Sequence, residues 1–190
     1  MYDYISGKIE ELGPAELILD NNSIGYKIEI SLNSYTRFQG LKEAKVYIYH
    51  HIKEDDEVLY GFFEKKERII FTQLISVSGI GPNTARMMLS SLTANEVEEA
   101  IASNDVTKIK SVKGIGAKTA QRCILELKDK ISKGTTIYEI KANTNIDEAR
   151  SALILLGFNK NAVEKILQKV IKQDENMALE ELIKKSLKLL

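Results

Sequence analysis

The sequence predicts an α+β protein of several domains: a five-stranded β-barrel, then an all-α middle, then a three-helix miniature domain. Three observations lead to that class. Residues 1–63 are punctuated into short runs of alternating apolar and polar character. From Lys65 onward the apolar spacing changes to a helical period. Within that second stretch, residues 74–92 recur as residues 109–127. A chain of 190 residues, 44% hydrophobic, is long enough for two or three small domains, each with its own modest core.

In the first part, strands are expected at 2–11, 15–20, 23–32, 44–53 and 57–63, with turn signals at Gly13-Pro14 and Asn21-Asn22. Alternation is clearest at Tyr26, Ile28, Ile30 and at Val46, Ile48, where one face of a strand would be buried. One helical insert is expected near Ser34 to Gly40. Five short strands with such an insert predict a small barrel of the OB type, with an unclassified β-domain as the alternative. The middle part spans 64–133. Residues 134–146 are polar and weakly periodic, which predicts a flexible linker. Residues 147–190 carry apolar spacing at Ala149, Leu153, Leu156, then Val163, Ile166, Leu167, Val170, and finally Leu179, Leu182, Ile183, Leu187. That pattern predicts three helices.

The net charge of zero hides a division along the chain. Residues 1–63 hold six Lys/Arg against eleven Asp/Glu, residues 64–133 twelve against eight, and residues 134–190 nine against eight. Any nucleic-acid contact should therefore centre on the middle. One cysteine, Cys123, excludes an internal disulfide framework and a four-cysteine metal site. Charge interrupts every apolar stretch before about 18 residues, and the N-terminus lacks the pattern of a leader. No membrane span is expected, and the expected location is cytoplasmic.

The repeat carries the chemistry. LISVSGIGPNTARMMLSSL and IKSVKGIGAKTAQRCILEL lie 35 positions apart and match at eight of nineteen positions. Shared positions include Gly79/Gly114, Ile80/Ile115, Gly81/Gly116 and Thr84/Thr119. Such duplication predicts a repeated structural unit. Glycine turns the backbone tightly, the isoleucine between packs inward, and a helix begins at once after the second glycine. Its first N–H groups have no partner within the helix, and its dipole favours an anion. Pro82 at a first helical position agrees with that start. A nucleic-acid phosphate is the expected anion, held without reading base sequence. Lys113, Lys118, Thr119 and Arg122 flank the second turn, whereas Asn83, Thr84 and Arg86 flank the first, so the second should grip harder. A lone Gly-x-Gly would read equally as a helix cap. Gly116-Ala117-Lys118-Thr119 lacks the spacing of a nucleotide-binding P-loop, so ATP hydrolysis is not expected of this chain, nor is any cofactor.

The two turns place the middle in the helix-hairpin-helix superfamily, and their position behind a β-barrel resembles the RuvA family of Holliday-junction-recognition subunits. Ile5-Ser6-Gly7-Lys8-Ile9 with Gly25-Tyr26 resembles that family's opening. Leu59-Tyr60-Gly61-Phe62, followed by Glu67-Arg68 and Phe71, resembles its junction into the second domain, and Leu156-Gly157-Phe158 its ubiquitin-associated-like third domain. The resemblance covers essentially the whole chain. It implies a non-catalytic homotetramer that holds open four-way DNA and stimulates RuvB, a hexameric ATPase that drives branch migration in recombination, DNA repair and the SOS response. It also implies the resolvase RuvC in a larger complex. In that family, acids at the places of Glu54 and Asp55 form an acidic pin at the crossover. The residues alone read Glu54 to Glu57 equally as a solvated turn. Motor contact would fall to an apolar patch including Leu155, Leu156, Phe158 and Ile166.

Other residues read more plainly. His50 and His51 lack a partner at metal spacing, so packing or exposure is expected of them. Tyr47 and Tyr49 could stack bases, although tyrosines on strands are more often structural. Cys123 should be core, and Lys184-Lys185 a wet helix face. A different function class stays open: a base-excision glycosylase or a structure-specific nuclease of the same superfamily. Against the first, residues 135–140 contain Glu139 but no Asp; against the second, the only dense acid cluster is Glu54 to Glu57. A third reading is a duplex-binding scaffold with no junction preference. The departure at Asn83, where many relatives carry a basic residue, weakens the first hairpin.

Overall fold

The computed structural model describes residues 1–132, 145–171 and 177–190. The chain divides into two compact units, Met1–Lys133 and Gly134–Leu190.

In the first unit, strands β1 (Tyr4–Leu12), β2 (Glu16–Asn21), β3 (Ile24–Ile30), β4 (Glu43–Ile52) and β5 (Glu57–Phe62) close into a barrel in the order β1-β2-β3-β5-β4. Only β3 and β5 pair in parallel; the other neighbours are antiparallel. Asn22 and Ser23 form the β2–β3 turn with φ of 52° and 66°. That left-handed pair matches the twist of the flanking strands. A register shift between Ile9 and Glu11 lets β1 bend from β4 toward β2. Of the alternating residues read from the sequence, Ile28, Ile30, Val46 and Ile48 are buried and Tyr26 is half-buried beside them; Leu17, Leu19, Ile5 and Phe38 complete the core.

The expected third strand ran to Leu32, but β3 stops at Ile30. Ser31 is the reason. Its side chain accepts from the Ser34 amide at 3.1 Å and starts helix α1 (Leu32–Phe38) two residues earlier than expected.

Helices α2 (Lys65–Ile75), α3 (Pro82–Ser91), α4 (Ala94–Ala102), α5 (Val106–Lys110) and α6 (Ala117–Ser132) follow. Their core continues into the barrel wall. Tyr60 and Phe62 of β5 belong to the same buried cluster as Phe71, whose ring lies 4.9 Å from Phe62 and 5.1 Å from Tyr60. Two buried charges lock the junction. Glu67 accepts from Ser34 Oγ and from the Phe63 amide, both at 2.9 Å. Arg68 pairs with Asp3 at 2.7 Å and donates to the Ile48 carbonyl at 3.3 Å. Paired in this way, the two charges fix the seam between barrel and helices.

The second unit holds α7 (Asn145–Leu155), α8 (Lys160–Ile171) and α9 (Leu179–Leu187) around Ala149, Leu153, Val163, Leu167, Val170, Met177 and Leu182. Leu156, counted with the inward spacing of α7, lies beyond the helix and is exposed. Gly157, with φ 96°, ends the helix: its amide donates to the Ile154 carbonyl and the Phe158 amide to that of Leu153. This paired closure brings Phe158 back against the core in place of Leu156. Apart from Asn145 and Ile146, which begin α7, the linker expected over 134–146 lies outside the described residues, as does Glu139. Among the described residues no helix is long and apolar enough to cross a membrane.

Candidate nucleic-acid interface

The two repeats build the same backbone device. After α2, Val77 and Ile80 turn inward, each nearly fully buried; after α5, Val112 and Ile115 do the same. The Ile80 amide donates to the Val77 carbonyl at 3.0 Å, and the Ile115 amide to that of Val112 at 3.2 Å. Between them Gly79 and Gly114 have φ of 94° and 90°, a region that only glycine enters cheaply. Gly81 and Gly116 then open α3 and α6, their carbonyls accepting from Ala85 and Ala120 at 2.9 Å. The turns also pack on each other reciprocally: a Cβ at Gly79 would lie 3.7 Å from Thr119, and one at Gly114 3.6 Å from Met87 Cε.

Gly81 and Gly116 differ from the first glycines of each turn. Gly81 has φ −88°, an ordinary extended value, and a Cβ built at either position would meet nothing within 4 Å. Neither backbone conformation nor internal packing demands glycine there. The absent side chain leaves the helix N-terminus bare, which is what a close-approaching anion needs. The amides differ in number. Pro82 has no N–H, whereas its counterpart Ala117 has one, so the second helix offers one donor more.

Side chains divide the two turns further. Lys113, Lys118 and Arg122 are exposed around the second, and Arg122 Nη1 reaches the Ser78 carbonyl at 3.5 Å. Lys110, one helical turn before Lys113, adds an exposed cation that a reading centred on the glycines passes over. Comparison with Ile75, its counterpart in the repeat, is the signal that finds it. Around the first turn, Asn83 accepts from Tyr60 Oη at 3.3 Å and Thr84 is half-buried. Arg86 turns onto the barrel, pairing with Glu29 at 3.3 Å and donating to the Ala15 carbonyl at 3.1 Å.

Glu54 and Asp55 sit at the tip of the β4–β5 hairpin, closed below them by the Lys53 amide donating to the Asp56 carbonyl at 2.8 Å. All are exposed, and Glu57 is held by His50 at 2.6 Å. His51 packs its ring near Tyr49 and Tyr60, Tyr49 packs on Phe71, and Tyr47 lies beneath Lys45 and Arg68. Among the described residues no three His, Cys, Asp or Glu side chains are grouped to hold a metal. Cys123 is buried, which pushes its thiol up to about 11. In the second unit Leu155 and Leu156 are 71% and 62% exposed, while Phe158 and Ile166 are half-buried against the core. Exposed Ile154 joins the first pair.

A barrel carrying paired Gly-Ile-Gly turns, each opening a bare helix end, defines a tandem helix-hairpin-helix protein. The family comparisons agree in all three parts: RuvA N terminal domain matches residues 1–61, SAM-like Helix-hairpin-helix tandem 71–129, and RuvA, C-terminal domain 144–190. The chain belongs to the RuvA family. Its relatives include the Holliday junction branch migration complex subunit RuvA of Christiangramia forsetii, 48% identical with 99% of each chain covered. Those of Azobacteroides pseudotrichonymphae and Porphyromonas gingivalis are 46% and 40% identical, covering both chains in full.

Proposed function

We propose that this chain is the non-catalytic DNA-binding subunit of a branch migration complex, gripping four-way junctions by their backbone. The observation that carries the reading is the pair of bare helix N-termini at Gly81 and Gly116, with exposed Lys113, Lys118 and Arg122 beside the second. Main-chain amides around Gly79, Gly81, Thr84, Gly114, Gly116 and Thr119 take phosphate oxygens, while Ile80 and Ile115 hold the turns in shape from inside. The lysines and Arg122 add charge that is indifferent to base sequence.

Glu54 and Asp55, at a hairpin tip, stand among converging strands at the crossover. There their charge repels phosphates and keeps duplex arms apart. Four copies of the chain surround one junction in the cytoplasm, and the hexameric ATPase RuvB supplies the motor that hydrolyses ATP. Leu155 and Leu156 of the third domain meet that motor, with Phe158 and Ile166 supporting the patch from its core side. The resolvase RuvC joins the same assembly.

The test is gel-shift affinity for a four-way junction against linear duplex of the same sequence at fixed salt, comparing the native chain with Glu54→Gln/Asp55→Asn. Strong junction preference that shifts on neutralising the tip is the expected result. Equal binding to both DNAs, unchanged by the double substitution, would reduce the reading to a duplex-binding scaffold.

A further inference from the structure

One side of α3 is tied to the barrel by polar contacts that α6 lacks. Asn33 Nδ2 donates to the carbonyls of Leu89 and Leu92 at 2.7 and 3.1 Å, and the Leu32 amide donates to Ser90 Oγ at 3.0 Å. Nearer the turn come the Tyr60–Asn83 bond and the Arg86 contacts to Ala15 and Glu29. The corresponding α6 positions, Lys118, Gln121 and Leu125, are exposed.

The seam has a charged centre. Glu29 Oε2 is buried and has no hydrogen bond among the described residues, so the guanidinium of Arg86 at 3.3 Å is what balances its charge. Glu29 lies opposite Tyr60 in the parallel β3–β5 pairing. Burial, and next the charge of Glu29, raise the Tyr60 hydroxyl above its ordinary pKa, while Arg86 lowers it. Tyr60 belongs to β5, and β5 runs directly from the hairpin tip that carries Glu54 and Asp55. The acidic tip is therefore connected to α3 in two ways: through β5 and the Tyr60–Asn83 bond, and through the β5–β3 pairing and the Glu29–Arg86 ion pair.

We propose that Arg86 is a positioning residue: through Glu29 it fixes the placement of the acidic tip relative to the hairpins, and it does not hold a phosphate. The inference rests on the junction reading above. A guanidinium bound to a barrel carbonyl and to the buried oxygen of a half-buried carboxylate is already satisfied, and moving it to DNA would leave that oxygen without its counter-charge. Its effect should appear in the choice between junction and duplex, because that choice depends on how far the tip stands from the phosphate-binding turns. Grip on plain duplex, which needs no tip, should be indifferent to it.

The experiment uses the full chain as native protein, Arg86→Gln, Arg86→Glu, Glu29→Arg and the exchanged pair Arg86→Glu/Glu29→Arg. Affinities for junction and duplex are measured across a salt series. Arg86→Gln should lower the junction-over-duplex ratio roughly three- to tenfold while leaving the duplex salt slope unchanged. The exchanged pair should recover most of the ratio lost by either single reversal, which a merely disordered seam would not do. A duplex slope flattened by about one unit in Arg86→Gln, with the exchanged pair weaker than both singles, would make Arg86 a phosphate ligand. An unchanged ratio in every variant overturns the proposal as well. A native chain with no junction preference defeats the junction reading instead, and the duplex salt slope then decides alone whether Arg86 meets phosphate.

Discussion

The two hairpins keep the same interior and have exchanged their surfaces. Each inward position of one is buried in the other: Leu74 and Ile109, Val77 and Val112, Ile80 and Ile115, Ala85 and Ala120, Met88 and Cys123, Leu89 and Ile124, Leu92 and Leu127. Among the exposed positions only Ser76/Ser111 and the two glycine pairs are shared. Ser78, Asn83 and Met87 in the first stand where Lys113, Lys118 and Arg122 stand in the second, and Pro82 replaces Ala117. Packing keeps these positions apolar at both sites, although Leu74/Ile109, Met88/Cys123 and Leu89/Ile124 differ in residue. Exposed residues answer to whatever each turn meets. The first hairpin meets the barrel on one side, and the second meets solvent with four cations around it. The two copies of the turn thus differ in what they face, the first being joined to the barrel by polar contacts.

The largest effect that tests this division comes from adding a carboxylate at each bare helix end. Asp is a better N-cap than Gly, and nothing lies within 4 Å of where its Cβ would stand. Gly116→Asp should keep or slightly raise thermal stability while lowering junction and duplex affinity on the order of tenfold to a hundredfold, through repulsion of the phosphate. Gly81→Asp should cost about threefold, since that end has one amide fewer and no adjacent lysine. Unfolding midpoints measured beside gel shifts separate the two effects. Equal losses at both positions would erase the distinction between the hairpins.

A smaller effect is expected from single cations. Lys118→Ala should weaken binding to all sequences alike and flatten the log-log salt dependence by about one unit. A loss confined to one base sequence would mean that Lys118 reads bases and that the second turn is more than a backbone clamp.

How much of this was legible follows from the range of each interaction. The turns were legible because their determinants are local: two glycines, an isoleucine and a helix start within a few residues, written twice. The barrel strands were legible where alternation is strict, as at Ile28 and Ile30 or Val46 and Ile48. The early start of α1 depended on Ser31 acting as a cap instead of the strand's last polar residue, and a period-two pattern cannot separate those roles. Leu156 lies one residue past the end of α7, and the closure at Gly157 puts Phe158 on the core in its place, so spacing that assumes an unbroken helix assigns the wrong residue inward. The pairing of Arg86 was not legible, because its partner Glu29 sits on a strand far away in sequence and only the closed barrel brings it near.

The smallest effect concerns the pair Met88 and Cys123, equivalent core positions of which only the second titrates. Burial raises the Cys123 thiol from an ordinary value of 9.0 to about 11. Below pH 9 the thiol is protonated in folded and unfolded chains alike and contributes no pH dependence. Between pH 9 and about 11 the unfolded chain loses the proton first, so stability should fall as pH rises through that window. Other groups titrate there too, so the measurement is a difference: denaturant midpoints of the native chain and of Cys123→Ala, taken at pH 8 and pH 10.5. The native chain should lose more of its midpoint than the variant does, although the variant starts lower because of the cavity it contains. Alkylation of the native thiol at pH 8 should be slow for the same reason, and should become fast once denaturant opens the core. Fast alkylation without denaturant would mean that the second hairpin opens readily, and that the buried symmetry of the two turns holds only on average.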